Sequence, residues 1–345
     1  MKKIISFILL FAIILFGFLI IFEKQTCIDG VVSGILLCGR VIIPSLYPFT
    51  FCVLFILKSQ ALKILNPCDF IFKSLFGLQS TMFSVFLLSL IGGYPLGAKM
   101  LNDSEISKEN ASIMLNYCVN AGPAFIILAV GGGVFGSQKI GVILFMAHIL
   151  PSFILALFFK RKIKLADTKE PNSFINPVDN FVLSATTGAV TVLNICAFVI
   201  LFSVITAYLN QLAQRYSFVY FPSLFLEVTN AVNQTKNIYL ISAILGFGGV
   251  SIWCQIVSLV KRFRINYFVF ILCRIFHAIS SALITFFSVK IFGIAIPTLS
   301  NGKIFSFSPF SKGVEVGISL LIMGIVLIIS LKNKNFTGNM VEEIV

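Results

Sequence analysis

Charge is what this sequence has least of. Only 11% of its 345 residues are charged, and 13 of them are acidic. A soluble globular domain carries about 25% charged residues, so there are too few polar side chains to cover a water-facing surface. The chain also has only two histidines, far apart in sequence, which argues against a His-based metal site. Its eight cysteines contain no C-x-x-C pair and mostly lie inside apolar runs, where a free cysteine behaves as a small hydrophobe. Neither a disulfide framework nor a zinc site is indicated. No Ser-His-Asp set and no paired carboxylates occur, so an intramembrane enzyme lacks a recognisable constellation and no cofactor is implied. The string 131–136 matches G-x-G-x-x-G by letter, but it lies in an apolar run without a βαβ pattern and fails its context test.

What is present is apolar length. Hydrophobic residues make up 58% of the chain, 38 residues are Phe, and the mean hydropathy is +1.01. At roughly 20 residues per span this is enough for seven to nine crossings. The expected fold is an all-α polytopic membrane protein with about eight transmembrane helices plus broken or re-entrant segments. Lys2-Lys3 opens the chain and 19 uncharged residues follow. Phe22-Glu23-Lys24 offers no small-residue cleavage site, so this run reads as a retained first helix. Further candidate spans are 30–57, 81–98, 140–159, 181–209, 238–260, 265–289 and 314–331. The segment 111–135 is apolar but broken, and 222–230 is short and contains Glu227.

The net charge of +13 is gathered beside the apolar runs, at 2–3, 160–164, 261–264 and 332–334. That is the positive-inside pattern of cytoplasmic loops rather than a nucleic-acid surface. Both termini and these clusters are therefore expected in the cytoplasm. Eight spans satisfy this if one of 81–98 and 111–135 dips in and returns, and the residues do not say which. The polar linker 165–180 separates two halves that resemble each other. Gly39 and Phe49 match Gly188 and Phe198 at one spacing, and Asn120-Ala121-Gly122-Pro123 falls opposite Phe247-Gly248-Gly249-Val250. His148, Ser152 and Phe158 fall opposite His277, Ser281 and Phe287. With the expected loop sides the second repeat is inverted relative to the first, and inverted repeats with broken helices mark transporters.

The chemistry-bearing candidates lie at the breaks. Gly92-Gly93-Tyr94-Pro95-Leu96-Gly97-Ala98-Lys99 cannot remain regular helix. Unwound backbone at membrane depth is tolerated only against protein or a water-filled cavity. It reads either as a hairpin tip whose amides and Lys99 face an anion, or as an ordinary interfacial helix end. Asn120, Gly122 and Pro123 interrupt the next run, where an Asn amide can serve a solute or glue helices together. Gly248 and Gly249 precede Ser251 and Gln255, which share a helical face. Glu227, with Asn230 close behind, is either an ion or proton site or an interfacial carboxylate pointing to water. Arg40 and Arg274 lie well inside their runs and should face the interior. Arg274 and His277 share a face and could attract an anion or relay a proton. His148 and His277 are each otherwise satisfied core residues.

The strings GGYPLGAK, NAGPAF, LEVTN and GFGGVSIWCQ, in this order, resemble the sporulation integral-membrane family of the YlbJ type, which carries paired nucleoside-recognition (Gate) domains. The resemblance implies passage of a small solute across a membrane, and for the sporulation branch that solute is dipicolinate. It also implies the division 1–29 anchor helix, 30–164 first Gate-like repeat, 165–180 cytoplasmic linker, 181–293 second Gate-like repeat, and 294–345 loop, final helix and short cytoplasmic tail. The second repeat lacks a Gly-Tyr-Pro string, which puts a symmetric pair of anion-binding tips in doubt. The resulting expectation is a transporter or permease for a small polar, anionic solute in a bacterial cell or forespore membrane. Its partners are the lipid bilayer and that solute, not nucleic acid, and homo-oligomerisation is left open. A non-transporting membrane scaffold for spore morphogenesis and a nucleoside transporter are the rivals. A transporter should gather Lys99, Asn120, Glu227 and Gln255 around one midplane cavity.

Overall fold

The computed structural model describes residues 2–59, 61–164 and 176–293, and among these the chain is helical with no strand. In chain order the helices are α1 (Lys2–Phe22), α2 (Lys24–Leu37), α3 (Ile43–Lys58), α4 (Asp69–Phe76), α5 (Ser80–Gly92), α6 (Leu96–Asp103) and α7 (Lys108–Met114). They continue as α8 (Gln138–Phe159), α9 (Pro177–Arg215), α10 (Tyr220–Ser223), α11 (Val228–Gln234), α12 (Ile238–Phe247), α13 (Gly249–Leu259) and α14 (Tyr267–Ile291). A π-helical turn, Cys38–Ile42, joins α2 to α3, and a longer π-helical segment, Ala124–Val134, precedes α8. Side-chain caps start several of the long helices: Ser137 for α8, Asn176 for α9, Asn237 for α12 and Asn266 for α14. Each satisfies an amide that the first turn leaves without a partner.

Five helices are long and apolar enough to cross a membrane: Lys24–Lys58, Gln138–Lys162, Pro177–Arg215, Ile238–Leu259 and Tyr267–Ile291. The pair Leu65–Phe76 and Ser80–Gly92, bent by 79°, makes a sixth if it is one span. The chain is thus an all-α membrane protein, but eight spans are not found among the described residues. The shortfall has a physical cause. The runs 81–98 and 111–135 contain Gly and Pro breaks that end their helices early, and the candidate at 314–331 lies outside the described residues.

Two antiparallel pairs form the frame. The α2–α3 rod lies along α9, from Tyr208 near Glu23 at one end to Asn180, which donates to the Phe55 carbonyl, at the other. Gly30 and Gly34 sit at the contact. A Cβ on either would lie 2.7 Å from the backbone Cα of Val204 or Ile200. This small-xxx-small stripe lets the backbones approach closely, which is how helices associate where lipid provides no hydrophobic drive. Gly34→Leu should therefore lower the thermal midpoint of the detergent-solubilised protein by several degrees, a loss of roughly 1–3 kcal/mol from overpacking. An unchanged midpoint would show that the pair can separate freely.

The second pair is α8 with α14. The basic clusters at 160–164 and 261–264 lie at one end of the bundle, tied to the α6–α7 region. Lys261 and Arg262 donate their amides to the Asn102 side chain, and Arg262 donates to the Leu101 carbonyl. Ser112 donates to the Arg264 carbonyl, and the Asn110 amide donates to the Lys164 carbonyl. Helix α8 arrives at this end and α14 leaves from it, so they run antiparallel. Lys164 also pairs with Glu109 and holds its carboxyl below the usual carboxylate range. Both groups are exposed, so the pair adds little stability.

The same contacts identify the re-entrant segment. Helix α5 begins near the basic end, where Lys160 donates to the Ser74 carbonyl, and α6 returns to that end at Leu101 and Asn102. Residues 80–103 therefore dip in and come back. The run from α7 through Ala124–Val134 instead leads away from that end. It starts at the basic end at Asn110 and reaches the start of α8, whose 22 residues span about 33 Å. A shorter hairpin, α10 to α11, follows the far end of α9 and is closed by Tyr220 donating to the Gln234 carbonyl.

Candidate functional site

The site is built where breaks cross. Helix α5 ends at Gly93, whose φ of +76° is open to glycine at little cost, and the cis Tyr94–Pro95 peptide turns the chain into α6. This tip lies against the second break, 115–123. A Cβ on Gly122 would come within 2.9 Å of the Ile91 carbonyl, and one on Gly93 within 3.0 Å of the Gly122 amide. In the other half, the turn residues before α11 meet the α12–α13 break at Gly248 and Gly249. There Val250 donates to the Phe225 carbonyl at 2.9 Å and Ser251 to the Leu226 carbonyl at 2.8 Å. Amides freed by one break thus find carbonyls freed by another, as backbone buried at membrane depth requires.

The tips of the two hairpins meet at a cavity of about 40 Å³. Gly93, Tyr94 and Gly122 line it from one half, and Glu227, Thr229 and Gln255 from the other. Its apolar lining includes Ile42, Leu46, Phe125, Ile195 and Val199. A single water needs about 10–15 Å³ by this measure, so the space holds about three waters and no dicarboxylate in this conformation. Glu227 is 3% exposed and is the one charged residue in the lining. Its carboxylate accepts from the Asn230 amide at 2.6 Å as the N-cap of α11, and Thr229 also hydrogen-bonds to it. Asn230 is fixed in turn by donating to Ser203 of α9 at 2.9 Å. Among the described residues no basic side chain pairs with Glu227. Gln255 donates to Ser251, while its own Oε1 and the Tyr94 hydroxyl have no partner.

A second cluster lies beside the first and is made from the residues with the strongest charge or proton chemistry. Arg274 is fully buried on α14 and donates to the Val119 and Asn116 carbonyls at 2.5 and 2.7 Å. His148, halfway along α8, accepts from the Ala121 amide at 2.9 Å through Nε2. One turn on, Ser152 donates to the Asn120 side-chain carbonyl, and Asn120 donates to the Tyr117 carbonyl. The 115–123 break is thereby clamped between α8 and α14. The two imidazoles lie with centroids 4.6 Å apart and planes inclined at 38°, and His277 faces the His148 carbonyl through Nε2 at 2.8 Å. A carbonyl only accepts, so His277 carries its proton on Nε2. His148 accepts at Nε2, so in its neutral form it carries the proton on Nδ1.

Several expected placements change. Lys99 does not line the cavity; it pairs with Asp103 at 3.1 Å one turn on, within the helix that returns to the basic end. Asn120 does not line the cavity; it is held by Tyr117 of its own break and by Ser152 of α8. Arg40 is exposed instead of interior. The π-helical turn Cys38–Ile42 buries Cys38, Val41 and Ile42 and directs Arg40 outward. Gly92 packs on Leu96, Gly97 on the Cys118 carbonyl, and Pro123 leads into the π-helical segment. Val228 and Thr229, which belong to the LEVTN string and to the candidate stretch 227–230, line the cavity, and so does Ser45, which nothing in the sequence singled out.

No family model matches the chain, and no solved structure matches it. The chain is similar to the sporulation integral membrane protein YlbJ of Bacillus subtilis (strain 168), at 22% identity over 325 residues, covering 76% of this chain and 78% of that protein. That similarity and the apolar helices together support an integral membrane protein related to sporulation proteins.

Proposed function

We propose that the protein is a transporter that moves a small polar solute across a membrane, its two halves acting as inverted repeats around the cavity. The observation that carries this reading is the meeting of two hairpin tips, from opposite ends of the bundle, at one mostly apolar cavity that holds the Glu227 carboxylate. The antiparallel packing of α2–α3 on α9 and of α8 on α14 supports it, because an in-plane two-fold axis would pair such helices in this way. His148 and His277, at matching places in the two halves of the sequence, meet with ring centroids 4.6 Å apart, as residues beside such an axis would. A scaffold would have no need for unpartnered polar atoms around a central void.

Small dicarboxylates are the solute class to test first, with dipicolinate at their head, since the chain is similar to a sporulation membrane protein. The cavity must then widen to admit its solute. Purified protein in proteoliposomes should take up labelled dipicolinate above protein-free liposomes, and Glu227→Gln should reduce that uptake at least about tenfold. Uptake of none of the dicarboxylates or nucleosides offered would refute the transporter reading. Lys99→Ala, by contrast, should leave uptake within about twofold of wild type. The variant removes only a half-exposed i,i+4 ion pair worth a few tenths of a kcal/mol.

A further inference from the structure

We propose that the central cavity binds a monovalent metal cation of the sodium class, held by the Glu227 carboxylate, the Gln255 side-chain carbonyl and the Tyr94 hydroxyl. This deepens the transporter reading by naming a second ligand of the same cavity, and it rests on that reading only for the ion's coupling role.

Two independent observations carry it. Glu227 is buried to 3% exposure, and no basic side chain pairs with it among the described residues. An isolated carboxylate cannot stay charged in such a place without a compensating positive charge. Gln255, itself 2% exposed, separately belongs to the same lining and has an Oε1 that nothing donates to, and Tyr94, also in the lining, has an unpartnered hydroxyl. Buried oxygens left unsatisfied are costly, and two on residues that line one void, beside an unpaired carboxylate, point to a ligand rather than a packing defect. The donor set is all oxygen, which selects a hard cation over a soft one. With a single carboxylate it suits one positive charge better than two. The cavity's volume, about 40 Å³, holds a dehydrated ion and one or two waters.

The arrangement also joins the two halves. Tyr94 belongs to one re-entrant tip, while Glu227 and Gln255 belong to the other crossing. An ion between them draws the tips together, and its departure leaves Glu227 facing the cavity as a bare negative charge. A dianionic solute would be repelled by that charge and accepted once the ion had neutralised it. Ion and anion would therefore enter as a set.

The test uses the full-length purified protein in detergent, with sodium chloride exchanged for choline chloride at constant ionic strength and pH. Sodium at about a hundred times its dissociation constant should raise the thermal midpoint by on the order of 5 °C. Labelled sodium should bind saturably at one site per chain. Glu227→Gln should abolish both signals, and Gln255→Leu, which keeps the bulk but removes the carbonyl, should weaken binding at least about tenfold. If Glu227→Gln fails to fold, Gln255→Leu alone decides. Stabilisation equal in sodium and choline overturns the proposal, as does stabilisation that follows pH but not sodium, which would make Glu227 a proton site. Wild-type sodium binding in Gln255→Leu overturns it as well. Sodium binding without any solute uptake in proteoliposomes would leave the ion site standing and remove the transporter reading instead.

Discussion

Arg274→Leu should destabilise the protein by roughly 3 kcal/mol, read as a fall in the thermal midpoint on the order of 5 °C in detergent. Two effects oppose each other in this variant. Removing a buried guanidinium removes the cost of keeping a charge out of water, and replacing buried ions with apolar groups is often neutral. Against that, Leu donates nothing, and the Val119 and Asn116 carbonyls lose their donors. Each buried acceptor left unsatisfied costs about 1–3 kcal/mol. The loss wins because both acceptors are main-chain atoms of a break already fixed from the other side by His148 on Ala121 and Ser152 on Asn120. They cannot turn to find new donors. Arg274→Lys should fall between, since one ammonium does not span two carbonyls in the fork geometry of Arg. If Arg274→Leu is as stable as wild type, the guanidinium is not what holds the 115–123 break.

That clamp also shows where sequence reasoning stops. The long helices were legible. Runs at 140–159 and 265–289 become Gln138–Phe159 and Tyr267–Ile291, because an uninterrupted apolar stretch bounded by charge has few alternatives. The breaks at Gly93, Asn120–Pro123 and Gly248 were legible for an equally local reason: Gly and Pro interrupt helices wherever they fall. Which residues meet across the bundle was not. A helix that is apolar all round has no polar stripe to mark its inward face. Arg40 and Arg274 therefore look alike in sequence, yet one is exposed and the other reaches two carbonyls. The two histidines match by spacing, but nothing in the spacing says that they touch. Nor does it say that both clamp-bearing helices, α8 and α14, serve the same break in the first half. Lys99 invited an anion role by standing beside a Gly/Pro tip, and its neighbour Asp103 four residues on was the overlooked partner.

Gly97→Ala should be the most damaging single-methyl change in the chain's re-entrant segment, removing most folded protein from the membrane. A Cβ at residue 97 would lie 1.8 Å from the Cys118 carbonyl oxygen and 3.0 Å from the Ser89 side chain. No rotamer change relieves the first clash, because both atoms are fixed by main chain. Helix α6 or the 115–123 break must move by more than an ångström. Neither can move cheaply. Helix α6 is tied at its far end to the loop at Lys261 and Arg262, and the break is held by Arg274 and His148. The displacement would pass straight to the Gly93–Gly122 crossing and so to the cavity wall. Overpacking of this kind costs about 1–3 kcal/mol where side chains can yield, and more where backbone meets backbone. Gly188→Ala is the matched control. Its added methyl meets neighbours only at 3.6–3.7 Å, an ordinary contact, on a long helix that favours Ala over Gly by about 1 kcal/mol. Membrane abundance and thermal midpoint measured side by side should collapse for Gly97→Ala and hold or rise for Gly188→Ala. Equal behaviour of the two would mean that α6 does not pack on the Cys118 carbonyl, and the crossing that builds the cavity would have to be redrawn.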